Sequence, residues 1–446
     1  MAGGNVTVGI DIGTSSVKAI AADDDGNVVA RARIPHDFSV PSPQRFQHDA
    51  RVAWHDGPRR ALDELGDVDA RAVSVAAMVP SLTAVDAGGV PVTPGLLYGD
   101  ERGHQETKSD QPERGELAQF LRWQVHERPD ARGYWMAQAV ANHALSGEPN
   151  ISLIVAATAG DLVDWNVLGW DAAQVEARGA RADQMPAIHP PGQALGEVRG
   201  LENCVLEGGS VDAFAEQLVS GAGEVGDVLV ILGTTLIVWT VLPEQVDVPD
   251  YYAMPNLTGG TFLVGGPSNA GGLFLNWASR LLGDSNEAVD PARVPVWVPY
   301  PRGERVPLQD PDRRGQLVDL DLTHGAAAAR RAALEATAFA TRRMIDATPV
   351  TPRRIVATGG GTRLEGWVEA LADCTGLPVH VCAIPEGGAL GAAFLARVAC
   401  GLETQMTDAD RWARTARIVD PRPAWREHAD ARYARFCEVA GPGADP

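Results

Sequence analysis

Val6-Thr-Val-Gly-Ile-Asp-Ile-Gly-Thr-Ser-Ser-Val-Lys-Ala-Ile-Ala-Ala22 decides how the chain is read. Apolar residues alternate up to Asp11, Gly13-Thr-Ser-Ser16 makes a turn, and a second apolar run leads back, the pattern of a β-hairpin with a polar tip. Gly13 lets the backbone bend and approach a ligand closely, while Thr14 and Ser15 offer hydroxyl and N–H donors suited to phosphate oxygens. Asp11, closing the incoming strand, is placed to hold a hydrated Mg2+ against those phosphates. Taken alone the stretch is ambiguous, because glycine and serine also build ordinary turns.

About two hundred residues on, Val228-Leu-Val-Ile-Leu-Gly-Thr-Thr-Leu-Ile-Val-Trp-Thr-Val241 repeats the plan, with Gly233 and Thr234 at its tip. A third glycine turn, Gly359-Gly360-Gly361, follows the short strand Arg354–Thr358 and opens a helical stretch from Glu365 to Thr375. Three such turns, each fed by a strand, point to two related halves serving one bound nucleotide. A dinucleotide-binding oxidoreductase is the rival reading of the third turn. That motif needs Gly-x-Gly-x-x-Gly early in the chain and an acidic residue ending the next strand, and Pro378–Cys382 ends without one.

Six motifs in order resemble the FGGY family of carbohydrate kinases, within the actin, hexokinase and heat-shock ATPase superfamily. They are Gly9-Ile-Asp-Ile-Gly-Thr-Ser-Ser-Val-Lys18, Tyr98-Gly-Asp-Glu-Arg102, Gly208-Gly-Ser-Val-Asp-Ala213, Leu232-Gly-Thr-Thr235, Pro299-Tyr-Pro-Arg-Gly-Glu-Arg-Val-Pro307 and Gly359-Gly-Gly361. The resemblance covers nearly the whole chain. It implies an α/β, two-domain, actin/hexokinase-like (ribonuclease H-like) fold with a deep interdomain cleft. The expected domains are 1–221, with the sugar site, the first phosphate hairpin and the catalytic aspartate, and 222–446, with the nucleotide site. The resemblance also implies ATP and Mg2+ as cofactors, Lys18 near the nucleotide, Gly272 and Asn276 facing it, and Gly360, Gly361 and Leu364 bordering the adenosine. Leu364 stands where relatives often place Ser or Asn.

Composition bounds the alternatives. At 446 residues the chain is too long for one core and suits two domains. Its 45% apolar and 22% charged content is that of a soluble globular protein. A net charge of −20 with no basic run opposes a nucleic-acid partner. The two lysines, Lys18 and Lys108, do not follow glycine, which excludes a Walker A loop. Five cysteines without a Cys-x-x-Cys pair indicate neither a disulfide framework nor a zinc site, and fit a reducing cytoplasm. No secretory leader or membrane span is read, so a cytoplasmic location is expected.

Along the chain, Asn27–Ile34 reads as a third strand, 35–49 as a loop, Ala50–Leu65 as a helix and Ala72–Ala77 as a buried strand. In the loop that follows, xylulokinases resemble Gln-Met-His-Gly and glycerol kinases Gln-Arg-Glu, whereas this chain has Val79-Pro80. Neither side chain can hydrogen-bond a sugar hydroxyl, so the departure touches the substrate rather than the reaction. Gly95–Arg102 reads as a strand ending in charge. Asp100 and Arg102 match a pair at the rim of the family's sugar site, and a surface ion pair is the competing reading. The chain looks shortened from Gln105 onward, and helices are expected over Leu117–Val125, Tyr134–Leu145, Ser152–Leu162 and Gln174–Arg181. Residues beyond about 402 read as a capping tail.

Glu207-Gly-Gly-Ser-Val-Asp-Ala-Phe-Ala-Glu-Gln-Leu218 is the chemical centre. Its glycines let the chain turn sharply, and Asp212 falls in the first turn of a helix. Phosphoryl transfer to a hydroxyl needs a carboxylate placed to accept the hydroxyl proton, and Asp212 is that candidate. A carboxylate simply favoured by the helix dipole is the alternative. The expected activity is ATP-dependent phosphorylation of a small sugar, a ketopentose such as xylulose or a related ketose or polyol. Asp212 and Asp11 are the catalytic pair, Asp11 positions the metal through water, and Val79, Pro80, Asp100 and Arg102 lie by the sugar. Ribulose, glycerol or gluconate kinase, a non-catalytic sugar sensor and an actin-like assembly ATPase are the competing functions. The expected partner is a small sugar, without nucleic acid or membrane, and a homodimer is admitted.

Overall fold

A computed structural model describes residues 5–42, 44–103, 116–283, 285 and 287–441. The shortened segment expected from Gln105, and Lys108 within it, lie outside the described residues. The described chain forms two compact units, one of residues 1–219 and 386–412, the other of 220–385 and 413–446.

In the first unit the hairpin Val6–Ile12/Ser16–Ala22 extends by the antiparallel strand Val28–Pro35. On the other side Ala70–Ala77 runs parallel to Val6–Ile12, and Val205–Glu207 runs parallel to Ala70–Ala77. The second unit repeats this plan. Asp227–Leu232 and Leu236–Leu242 form the hairpin, Phe262–Ser268 extends it, and Arg354–Thr358 and Val379–Cys382 add in parallel. The internal duplication suggested by two glycine-threonine turns is therefore a duplication of topology. The long apolar runs are explained by burial: every residue of Asp227–Leu232, a central strand between an antiparallel and a parallel neighbour, is buried.

One helix departs from the division expected at residue 221. Gly387–Ala399 belongs to the first unit, where Thr7 Oγ1 donates to the Ala393 carbonyl at 2.8 Å. The reason lies in small residues. A β-carbon on Gly9 would overlap the Ala389 carbonyl oxygen, and one on Gly391 the Ala215 carbonyl oxygen, so glycine alone permits this backbone approach.

Other elements differ locally from expectation. Residues 35–49 hold two short strands, Ser39–Ser42 and Arg45–His48, which join Gly95–Leu97, Ser81–Val85 and Gly133–Trp135 in a five-stranded sheet. Arg45–His48 pairs with Gly95–Leu97, distant in sequence, and four-residue strands carry almost no periodicity. Gly95–Arg102 is a strand only to Leu97, because the chain turns at Tyr98-Gly99, where Gly99 adopts φ 78° and the Asp100 N–H donates to the Leu97 carbonyl at 3.0 Å. The helix expected over Ser152–Leu162 breaks at Gly160, which adopts φ 62°. The tail beyond 402 carries an edge strand, Thr415–Val419, and an 18-residue helix, Pro423–Ala440, both part of the second unit. That helix is docked by charge pairs: the buried Arg432 Nε lies 2.6 Å from the buried Glu335 Oε2, and the partly exposed N-cap residue Arg422 places Nη2 2.6 Å from the buried Asp373 Oδ2.

Candidate active site

In the first unit the candidate residues gather at the carboxyl ends of parallel strands, where open α/β sheets place their ligands. Asp11 pairs across the sheet with Ala76, and Ala76 with Ser210, so the chain reaches Asp212 two residues beyond Asp11's own level. Asp11 is buried. Its Oδ2 accepts from Lys18 Nζ at 2.9 Å, and its Oδ1 is buried with no hydrogen-bond partner. Lys18, expected near the nucleotide, is thus the counter-ion of Asp11, and the Asp11 charge holds its ammonium above the usual lysine range.

Asp212 opens the helix Asp212–Leu218, and its Oδ1 accepts the N–H of Ala213 at 2.7 Å. Burial, and next the Asp11 charge, push its carboxyl up to about 6. The turn before it is pinned on every side. Glu207, fully buried, accepts from Ser74 Oγ at 2.7 Å, from Gly209 N–H at 2.7 Å and from Gly192 N–H at 3.0 Å. The carbonyls of Gly208 and Ser210 accept from Asn142 Nδ2 at 3.2 Å and Gln138 Nε2 at 3.1 Å, and that of Gly209 from Ser152 Oγ at 2.5 Å. Glu207 stands in the quoted motif, yet its bracing role was missed in the sequence, as were Gln138, Asn142 and Ser152. These polar residues sit in otherwise apolar stretches, the one sequence signal that marks a buried acceptor or donor with a partner elsewhere.

The hairpin tip is tight, with Gly13 N–H donating to the Ser16 carbonyl at 3.1 Å. Thr14 Oγ1 lies 2.9 Å from the Tyr98 hydroxyl, and Ser15 is exposed. Val79 and Pro80, joined by a cis peptide, are partly exposed just before the strand Ser81–Val85. Asp100 and Arg102 are not a surface pair. Both are buried, with Arg102 Nη2 2.6 Å from Asp100 Oδ2, and Asp100 also accepts the Phe46 N–H at 2.7 Å.

In the second unit the two glycine turns stand side by side, because Ile231 pairs with Thr358 at the ends of neighbouring parallel strands. The helix Gly272–Leu282 starts directly on the hairpin tip: Gly272 N–H donates to the Gly233 carbonyl at 2.9 Å and Leu273 N–H to the Thr234 carbonyl at 3.0 Å. Gly272 therefore seats the helix, since a β-carbon there would stand 2.7 Å from that Gly233 oxygen. Asn276 and Leu364 are exposed, as is Gly360, while Gly361 lies partly covered beneath Trp367. Glu304 braces the tip from behind. Its carboxylate accepts from Ser268 Oγ, Asn269 N–H and Arg305 N–H, each at 2.7 Å, and Arg305 Nη2 reaches Thr235 Oγ1 at 3.3 Å. Burial pushes the Glu304 carboxyl up to about 7.

Two α/β units that repeat one topology, each presenting a Gly-Thr hairpin at the carboxyl end of its sheet, place the molecule in the actin/hexokinase-like fold class. The FGGY carbohydrate kinase N-terminal domain matches residues 6–120 and the C-terminal domain residues 228–400, and the chain belongs to the FGGY family of carbohydrate kinases, which makes it an ATP-dependent carbohydrate kinase. It is 27% identical to the xylulose kinase of Escherichia coli (strain K12), over 90% of this chain and 91% of that protein. It is 25% identical to the gluconokinase of Bacillus subtilis (strain 168), over 88% and 87%. The crystal structure of gluconate kinase from Lactobacillus acidophilus superposes with a TM-score of 0.82 at 21% identity, covering 98% of this chain and 97% of that one. Among the described residues no helix is long and apolar enough to cross a membrane.

Proposed function

We propose that the chain transfers the γ-phosphoryl group of ATP to a hydroxyl of a small ketose, with a ketopentose such as xylulose as the first candidate, and that Asp212 is the general base. The observation that carries this reading is the Asp212 carboxyl, raised to about 6 by burial and by Asp11, at the end of a turn pinned by Glu207, Gln138, Asn142 and Ser152. A base with that pKa is unprotonated at neutral pH yet basic enough to take a hydroxyl proton as the bond to phosphorus forms. The sugar oxygen bonds to the γ-phosphorus, the β–γ bridging bond breaks, ADP leaves with that electron pair, and Asp212 holds the proton.

Thr14 and Ser15 of the first hairpin and Gly233 and Thr234 of the second are the proposed phosphate donors. Gly360, Gly361, Leu364 and Asn276 are proposed for the nucleoside, where the exposed Leu364 side chain offers an apolar surface to a base. No cluster of three or more His, Cys, Asp or Glu able to hold a metal directly occurs among the described residues. Asp11, with its unpartnered buried Oδ1, suits a Mg2+ held through water, an ion that supplies screening of phosphate charge when bound. The satisfied Asp100–Arg102 pair supports a role in shaping the sugar site rather than in donating freely to a ligand. Likeness to a gluconokinase favours an aldonate as the second candidate acceptor.

A screen of ketoses, polyols and aldonates for ADP release tests the proposal. Selective turnover of a ketopentose is the expected result, and release no faster with any sugar than without one would overturn it.

A further inference from the structure

Thr14 is held by side chains from a different sheet. The His48 ring spans the gap: Nε2 lies 2.8 Å from the Thr14 carbonyl oxygen, and Nδ1 lies 3.0 Å from Trp54 Nε1. An indole nitrogen only donates, so Nδ1 is the bare acceptor of the neutral ring and Nε2 carries the hydrogen given to Thr14. Trp54 and His48 are fully buried, which fixes both rings, and burial together with the nearby His36 lowers the His48 pKa to about 4 and keeps the ring neutral. His36 adds its backbone N–H to the Ser15 carbonyl at 3.2 Å. From the neighbouring strand, in which Gly95 pairs with His48, the chain runs on to Tyr98, whose hydroxyl meets Thr14 Oγ1 at 2.9 Å.

A trans peptide points its C=O and the following N–H in opposite directions. With the Thr14 carbonyl drawn toward His48, the Ser15 N–H is turned the other way. A threonine hydroxyl has one hydrogen, and a phenol donating to its oxygen leaves that hydrogen for another acceptor. We propose that Trp54, His48 and Tyr98 are positioning residues that aim the Ser15 N–H and the Thr14 hydroxyl at a nucleotide phosphate, tying the sheet that carries Val79-Pro80 and Asp100 to the phosphate hairpin. The inference rests on the reading of Thr14 as a phosphate donor.

The test is calorimetric binding of the nonhydrolysable analogue AMP-PNP and of AMP, with Mg2+ present, to the full chain and its variants. Tyr98→Phe and His48→Leu each weaken AMP-PNP about 5–10-fold and leave AMP unchanged, on the scale of one hydrogen bond. His48→Gln, whose amide N–H takes the place of Nε2–H, recovers most of the loss, and Tyr98→Phe adds nothing to Thr14→Val. If Thr14→Val leaves the AMP-PNP to AMP ratio unchanged, the phosphate reading of Thr14 falls and this inference with it. If Thr14→Val lowers the ratio and Tyr98→Phe does not, the positioning role alone is overturned. Tyr98→Phe keeps the ring and so carries the test even where His48→Leu fails to fold.

Discussion

The Glu207 carboxylate accepts the N–H of Gly209 at 2.7 Å, two residues further along its own chain and three before Asp212. With Ser74 and Gly192 as its other donors, this carboxylate ties the approach to Asp212 into the central sheet. Glu207→Gln replaces one acceptor oxygen by an NH2 group that faces existing donors. Unfolding stability should drop by about 2–3 kcal/mol, the cost of buried donors left unmatched, with turnover lowered as well. Denaturant titration and steady-state assay check both, and wild-type stability in the variant would remove Glu207 from the bracing role.

Asp212→Asn is expected to leave ATP binding nearly intact while turnover falls at least about 10²-fold, the scale of losing a positioned base. A variant retaining more than half of the activity would show that another group takes the proton.

The raised Asp212 carboxyl also sets a pH dependence. As a base it must be ionised, so turnover should decline below about pH 6 and level off above it. Stability runs the opposite way. The folded pKa lies above the ordinary aspartate value of about 3.9, so this group's contribution is complete below that value and is lost as pH rises through about 6. Asp212→Asn should therefore gain on the wild type between pH 4 and pH 8, by about 2 kcal/mol once partial exposure is allowed for. Parallel denaturation curves at the two pH values would refute this by showing a constant difference.

Gly391→Ala puts a β-carbon onto the Ala215 carbonyl oxygen, within the helix that begins at Asp212. Overpacking between backbones should cost about 3 kcal/mol and displace Asp212, lowering turnover too. Gly223→Ala, where nothing stands within 4 Å of the new atom, serves as the control and should be neutral in thermal unfolding.

Val79 and Pro80 offer no hydrogen bond to a sugar hydroxyl, so glycerol should be a poor acceptor, at least about 10²-fold below the best ketose in kcat/KM. Brisk glycerol turnover in a coupled ADP-release assay would contradict the specificity reading.

What the residues alone established was local and repeated: two apolar hairpins with Gly-Thr tips, a glycine turn between strand and helix, and an aspartate opening a helix after Gly208-Gly209. Hairpins and such turns are built from neighbours in sequence, so their signals survive without the fold. The first-unit position of the helix Gly387–Ala399, the pairing of Arg45–His48 with Gly95–Leu97 and the strand and helix of the tail were decided only in three dimensions, since their partners lie far along the chain. The same holds for the polar braces. Nothing near Glu207, His48 or Glu304 in sequence announces its distant partners Ser74, Thr14 and Ser268, because burial forces a polar group to find whatever donor or acceptor the tertiary structure brings within reach.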